Sequence, residues 1–206
     1  MSESVVLERD DLRRTLRRIA HEIAEKNPAP GRLAIVGIHT RGAVLAARLH
    51  SILAELVGDA GEIPLGDIDI SFYRDDLASR APDAQPVVHA SHLDFDLAGL
   101  TVVLVDDVLF TGRTVRAAVE ALFDYGRPER VQLAVLCDRG HRELPVRPDY
   151  VGKNLPTSRG QRVNVRLEEV DGSDRVTISG ELGSSNGSGG SGELSSAASD
   201  DGGGEE

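Results

Sequence analysis

The sequence predicts an α/β protein with a mainly parallel central sheet, on three observations. Short continuous apolar runs at LAIVGI (33–38), TVVLV (101–105) and VQLAVLC (131–137) have the length and composition of strands buried on both faces. Segments with apolar residues at helical spacing lie between them. Strand and helix alternate along the chain, as a parallel sheet with crossover connections requires.

Each element has a local reason. Asp10 or Asp11 is placed to cap a first helix, in which Leu12, Leu16, Ile19 and Ile23 share a face, and Asn27-Pro28 ends it. After the strand 33–38, the turn HTRG leads into a helix from about Ala43 to Val57. Asp67 to Phe72 alternates polar and apolar residues and reads as half-buried and extended. Residues 74–92 are polar, carry Pro82 and Pro86, and read as a long loop or arm. The strand 101–105 is followed by an amphipathic helix, Val115 to Tyr125, and the strand 131–137. A Pro-rich connection then precedes short strands near 149–151, 163–167 and 175–179. In such sheets ligands bind past the carboxyl ends of the strands.

A length of 206 residues suffices for one domain with a sizeable core, and with aromatics at 3% and Trp absent that core rests on Val, Leu, Ile and Ala. The segment 183–206 is rich in Gly and Ser and reads as a disordered tail, leaving 1–182 as one domain. Its carboxylates Glu193, Asp200, Asp201, Glu205 and Glu206 carry five of the eleven net negative charges, so −6 remains on residues 1–182. An acidic body argues against broad nonspecific adhesion to nucleic acid, while leaving room for a local basic patch. Charges stand where a signal peptide would be apolar, no stretch approaches the roughly 18 apolar residues of a membrane helix, and Cys137 has no internal partner. These features fit a reducing cytoplasm.

The strongest functional signal is VVLVDDVLFTGRT (102–114). An apolar strand ends in Asp106 and Asp107, and a short loop carries Thr111, Gly112 and Thr114 into a helix start. Unpaired N–H groups and the helix dipole suit a phosphate there, Thr hydroxyls add donors, and Gly112 lets the backbone approach closely. The carboxylates repel a phosphate and suit a sugar diol or a magnesium ion bridging to a second phosphate group. A monophosphate, a diol and a nearby metal describe a phosphorylated ribose. Gly37 to Gly42 has the glycine spacing of a Walker A loop, but Ala43 and Val44 stand where Lys and Ser/Thr belong, so a triphosphatase reading fails.

The run VLVDDVLFTGRT resembles the phosphoribosyl pyrophosphate motif of type I phosphoribosyltransferases. IVGIHTRG, SFYRDDL, CDRGHRELPVRPDYVGKNLPTS and the ending RVNVRLEEVDG resemble the PyrR family, bifunctional pyrimidine-operon regulators that are also uracil phosphoribosyltransferases. The match spans about residues 5–180 and leaves the tail without a counterpart.

That resemblance implies a type I phosphoribosyltransferase fold with a small hood over the base, formed by Cys137–Gly140 and the segment 144–154. It implies uracil and phosphoribosyl pyrophosphate as substrates, with Mg2+ accompanying the latter, and UMP or UTP as ligands. Asp106, Asp107 and Arg74 become the catalytic residues, with the metal held indirectly by the Asp pair through ribose and diphosphate. Val108, Leu109, Phe110, Thr111, Gly112, Arg113 and Thr114 become the phosphate cradle, and Thr40 and Arg41 touch the diphosphate on a loop expected to hold a non-proline cis peptide. Arg74 neutralises diphosphate charge from a closing arm. Arg139 reads the base, or is a structural partner of Asp138 or Glu143. RNA of the pyrimidine operon is the implied regulatory partner, with Arg14, Arg18, His21, His141 and Arg142 as its contacts and a homodimer to merge the basic patches. A transferase for another base and a regulator without turnover remain as alternatives.

Overall fold

The computed structural model describes residues 3–58, 63–73 and 91–180. Arg74, most of the expected arm and the acidic stretch 183–206 lie outside the described residues. The elements run β1 (Glu3–Glu8), α1 (Arg9–Lys26), β2 (Leu33–Ile38), α2 (Arg41–Val57), β3 (Leu65–Ile68), β4 (Thr101–Leu109), α3 (Arg113–Tyr125), β5 (Arg130–Asp138), β6 (Tyr150–Asn154), β7 (Arg162–Arg166), α4 (Glu168–Asp171) and β8 (Arg175–Ser179).

Five strands form a wholly parallel sheet in the order β3-β2-β4-β5-β6. Strand alternation divides the core between its faces. Ile35, Val103, Val105, Ala134 and Leu136 pack under α1 and α2, against Leu16, Ile23, Leu45 and Leu49. Ala34, Val36, Val102, Leu104 and Val135 pack against Val115, Ala118, Ala121 and Leu122 of α3 on the other face. A second, antiparallel sheet in the order β1-β8-β7 joins the start of the described chain to its end. This small sheet is the hood.

Several sequence expectations are corrected here. The α1 cap is Glu8, with Asp11 one turn in accepting the Glu8 backbone N–H at 3.1 Å, because the helix begins at Arg9. The extended segment expected at 67–72 is the strand Leu65–Ile68, and the chain turns at Ser71–Tyr73, where Tyr73 N–H reaches Ile70 O at 2.9 Å. The segment 144–154 does not form the hood, because Tyr150–Asn154 pairs in parallel with β5 as an edge strand of the main sheet. Asp106 and Asp107 lie inside β4 rather than beyond it, since pairing with β5 continues to Leu109.

Candidate active site

The sheet order makes β2 and β4 neighbours whose connections depart in opposite directions, β2 leading to the edge strand β3 and β4 to β5. A crevice opens at such a switch point, beyond the carboxyl ends of the two strands. Both motif loops meet there.

The first loop follows β2. The His39–Thr40 peptide is cis, Thr40 is the N-cap of α2, and His39 N–H donates to Ile68 O at 3.0 Å. A Cβ on Gly42 would lie 2.4 Å from the Val105 carbonyl oxygen, so only glycine lets α2 begin this close to β4. Arg41 makes a two-point ion pair with Asp171 of α4, at 3.1 and 2.7 Å. Those hydrogen bonds hold the guanidinium pKa above its ordinary value, and the charge of Asp107 adds to the effect.

The second loop follows β4. A cavity of about 340 Å³ is lined by Asp106, residues 108–115 and Glu143. The whole predicted cradle Val108–Thr114 therefore lines one concavity. Gly112 is the N-cap of α3 at φ 93°, the Arg113 N–H donates to Thr111 Oγ1 at 3.4 Å, and the positive end of the helix dipole faces the cavity. Thr111 O accepts from Glu143 N–H and Leu144 N–H at 3.0 and 3.1 Å, and Arg113 Nε pairs with Glu143 at 2.8 Å.

The adjacent aspartates near the end of β4 keep their carboxyl groups in contact. Asp106 is buried and lines the cavity on the α3 side, and its Oδ1 accepts the Asp107 backbone N–H at 2.9 Å. Asp107 lies toward α2, where burial raises its pKa, against the Val108 N–H bond at 2.8 Å and the charge of Arg41. The two carboxyl groups thus form one interacting pair, with Asp106 at the cavity and Asp107 within the field of Arg41. Cys137, one strand over, has its thiol pushed up to about 12 by burial and is no nucleophile.

Arg139 departs from expectation. Its Nε donates to Thr157 Oγ1 at 3.2 Å, its Nη2 to Ser158 O and Gln161 O at 3.0 and 2.7 Å, and it stacks 4.1 Å over the Phe110 ring. The side chain is buried and ties the β6–β7 connection to the cradle, with Thr157, Ser158 and Gln161 rather than Asp138 or Glu143 as its hydrogen-bond partners. Arg142 takes Asp138, at 2.5 Å, and also donates to Phe110 O at 2.8 Å and Val146 O at 3.1 Å. His141 Nε2 meets Thr157 O at 2.5 Å. Arg142 and His141 therefore brace the loop from within. Arg14, Arg18 and His21 lie exposed on α1. Arg14 pairs with Asp11 at 2.6 Å, and Arg18 with Glu22 at 2.5 Å and with the Val151 and Gly152 carbonyls at 3.0 and 2.6 Å.

A second concavity, about 370 Å³, opens at the ends of β5 and β6 between Asp138, Arg139, Gly140, Asn154, Leu155 and Pro156. At the base of the arm, Ser71 donates from N and Oγ to Asp69 at 2.8 and 2.6 Å, Asp69 N–H donates to Ser91 Oγ at 2.9 Å, and the Tyr73 hydroxyl donates to Asp124 of α3. Arg74 itself lies outside the described residues. Asp171 and Glu143 are site residues that sequence reasoning did not assign. Glu143 was considered only as a partner of Arg139, and nothing in the sequence links Asp171 to Arg41.

Residues 7–169 match the family described as Phosphoribosyl transferase domain. A protein named Bifunctional protein PyrR from Roseiflexus sp. (strain RS-1) is 58% identical over 172 residues, covering 84% of this chain and 92% of its own. The protein of the same name from Deinococcus radiodurans is 57% identical over 176 residues, covering 85% and 94%. The chain belongs to the PyrR family. Among solved structures, the hypoxanthine phosphoribosyltransferase of Trypanosoma cruzi superposes with a TM-score of 0.63 over 85% of this chain and 95% of its own, at 18% identity, which establishes the shared fold alone. The PyrR family assignment and that fold together make the chain a phosphoribosyltransferase of the type I architecture.

Proposed function

We propose that the chain transfers the phosphoribosyl group of phosphoribosyl pyrophosphate to uracil, giving UMP and pyrophosphate, and that it also acts as a uridine-nucleotide-responsive regulator that binds RNA of pyrimidine genes. The carrying observation is the cavity at the α3 N-terminus, walled by the continuous run 108–115 with Asp106 at its edge. The 5′-phosphate sits at the N-terminal end of α3, stabilised by the helix dipole and by the Thr111 and Thr114 hydroxyls. Asp106 and Asp107 hold the ribose hydroxyls and face the positive charge that develops on the ring as pyrophosphate leaves. Thr40, Arg41 and Arg74 hold the leaving group. The pyrimidine occupies the concavity at Asp138–Gly140 and Asn154–Pro156, where backbone groups match its N3 donor and flanking carbonyl acceptors. Catalysis is then mainly positioning and electrostatics.

The all-oxygen donor set offered by the Asp pair, the ribose and the diphosphate suits a hard divalent ion, and Mg2+ entering with the substrate would neutralise the diphosphate. Family members at 57–58% identity favour uracil over another base, and the bifunctional character for which those relatives are named favours regulation beside turnover. For RNA, the exposed arginines of α1 with His21 provide the basic face, extended across a homodimer. Among the described residues no helix is long and apolar enough to cross a membrane.

The test is pyrophosphate release from phosphoribosyl pyrophosphate and Mg2+ with uracil, orotate, hypoxanthine, adenine and guanine in turn. Release with uracil alone is expected. Release with a purine alone would overturn the base assignment, and no release despite tight phosphoribosyl pyrophosphate binding would reduce the protein to a sensor.

A further inference from the structure

Away from the cradle, three segments bring metal-ligating side chains together beside the edge strand β3. Asp67 lies on β3, paired with Gly37 of β2, and His39 follows two residues beyond Gly37. His92 returns to β3 as an isolated antiparallel partner of Asp67. The His39 Nε2 and His92 Nδ1 atoms approach the same carboxylate oxygen, Asp67 Oδ1, at 2.5 and 3.2 Å. All three ligand atoms lie within 4.8 Å of one another.

The backbone beneath is fixed. Asp67 and His92 exchange both backbone hydrogen bonds at 3.0 Å, and His39 N–H is anchored on Ile68 O at 3.0 Å. Side-chain exposure grades from 18% at His39 through 27% at Asp67 to 63% at His92, so the cluster is seated on the fold and opens to solvent on one side.

We infer that His39, Asp67 and His92 form a binding site for a divalent ion of the imidazole-preferring class, with Zn2+ as its representative. A tetrahedral zinc ion at about 2.0–2.1 Å from its ligands keeps them roughly 3.3 Å apart, so the side chains have only on the order of 1 Å to adjust. Two imidazoles and a carboxylate are a ligand set zinc uses with a fourth position left for water, and the open side at His92 supplies that position. Mg2+ is a poor competitor, because it favours all-oxygen octahedral shells over imidazole. On binding, each ring nitrogen that now faces Asp67 presents its lone pair to the ion, and its proton moves to the other ring nitrogen. The ion joins the end of β2, the edge strand and the segment returning at Ser91, one peptide away from Thr40. The site stands apart from the phosphoribosyl reading, because binding is measured without any substrate.

The experiment uses the full chain, freed of metal with a chelator, and titrates Zn2+ in competition with a chromophoric indicator. One tight site per chain is expected in the parent. His92→Gln, at an exposed position whose backbone bonds remain, should weaken it at least tenfold, and His92→Cys, which restores a ligand, should recover it. Co2+ should give the visible absorption of a four-coordinate nitrogen-ligated ion in the parent and lose it in Asp67→Asn. Affinity that is equal in the parent and in His92→Gln would place the metal on other groups and overturn the inference, as would the absence of a tight site in the parent.

Discussion

The fold disfavours the charged form of the Asp107 carboxyl. Its carboxyl pKa is raised by burial, with Arg41 opposing. A raised carboxyl pKa means that the folded state disfavours the charge, so the destabilisation is present at neutral pH and fades as pH falls through the folded value. Asp107→Asn should therefore raise the melting midpoint at pH 7 by about 2–4 °C, the equivalent of roughly 1 kcal/mol in a domain of this size. The double variant Asp106→Asn/Asp107→Asn should lose at least about 100-fold in turnover while scanning calorimetry shows an intact transition. Arg139→Ala removes three hydrogen bonds and the stack on Phe110, and should cost about 2–3 kcal/mol in urea unfolding. If Arg139 read the base instead, stability would be unchanged and the KM for uracil would rise. Gly112→Ala meets both a positive φ and Val146 at 3.1 Å, and should weaken phosphoribosyl pyrophosphate binding in calorimetric titration and lower stability by about 1–2 kcal/mol.

Between elements, the hood is moored to α2 by charge. Arg48 grips Glu169 and Asp174, with contacts of 2.5 and 2.7 Å, while Arg41 grips Asp171. Hydrogen bonds from Arg41 and Arg48 lower the pKa values of Asp171 and Glu169. For Asp174 burial is the largest influence and pulls upward, but the Arg48 hydrogen bond, the Glu168 N–H and the charges of Arg48 and Arg9 together outweigh it. Depressed carboxyl pKa values stabilise above the ordinary value and fail as pH falls through the folded one, so these moorings should release below about pH 4. Methyl resonances of Val176 in β8 should shift there while those of Val103 in β4 hold, and Arg48→Gln should loosen the hood already at pH 7. The moorings also mark where the sequence stopped being readable. The cradle was legible because strand, carboxylates, loop and helix start are contiguous, and the main strands because their apolar runs have no other use. The pairing of Arg41 with Asp171 spans 130 residues and has no local signature. The strand β1, in ESVVLE, has only three apolar residues and becomes a strand through β8. His141 and Arg142 looked like a free basic patch because composition does not reveal which carbonyls a guanidinium will find.

For the molecule as a whole, the acidic balance means that RNA affinity must come from a small basic face. Binding to pyrimidine leader RNA should therefore weaken with salt along a shallow slope, set by a handful of phosphate contacts. Arg13→Gln/Arg17→Gln should flatten that slope further without altering pyrophosphate release, whereas an unchanged slope would move the RNA surface off α1.

The sheet that closes the hood joins Glu3 to Ser179, so β1 has no strand to pair with until almost the whole described chain exists. On the ribosome, the five-stranded sheet can assemble from strands synthesised one after another, whereas β1 must wait for β8, the last of the described strands. The pairing of β1 with β8 is thus a completeness check: a chain released before β8 keeps its cradle but leaves the hood, and with it the grip of Asp171 on Arg41, unfinished.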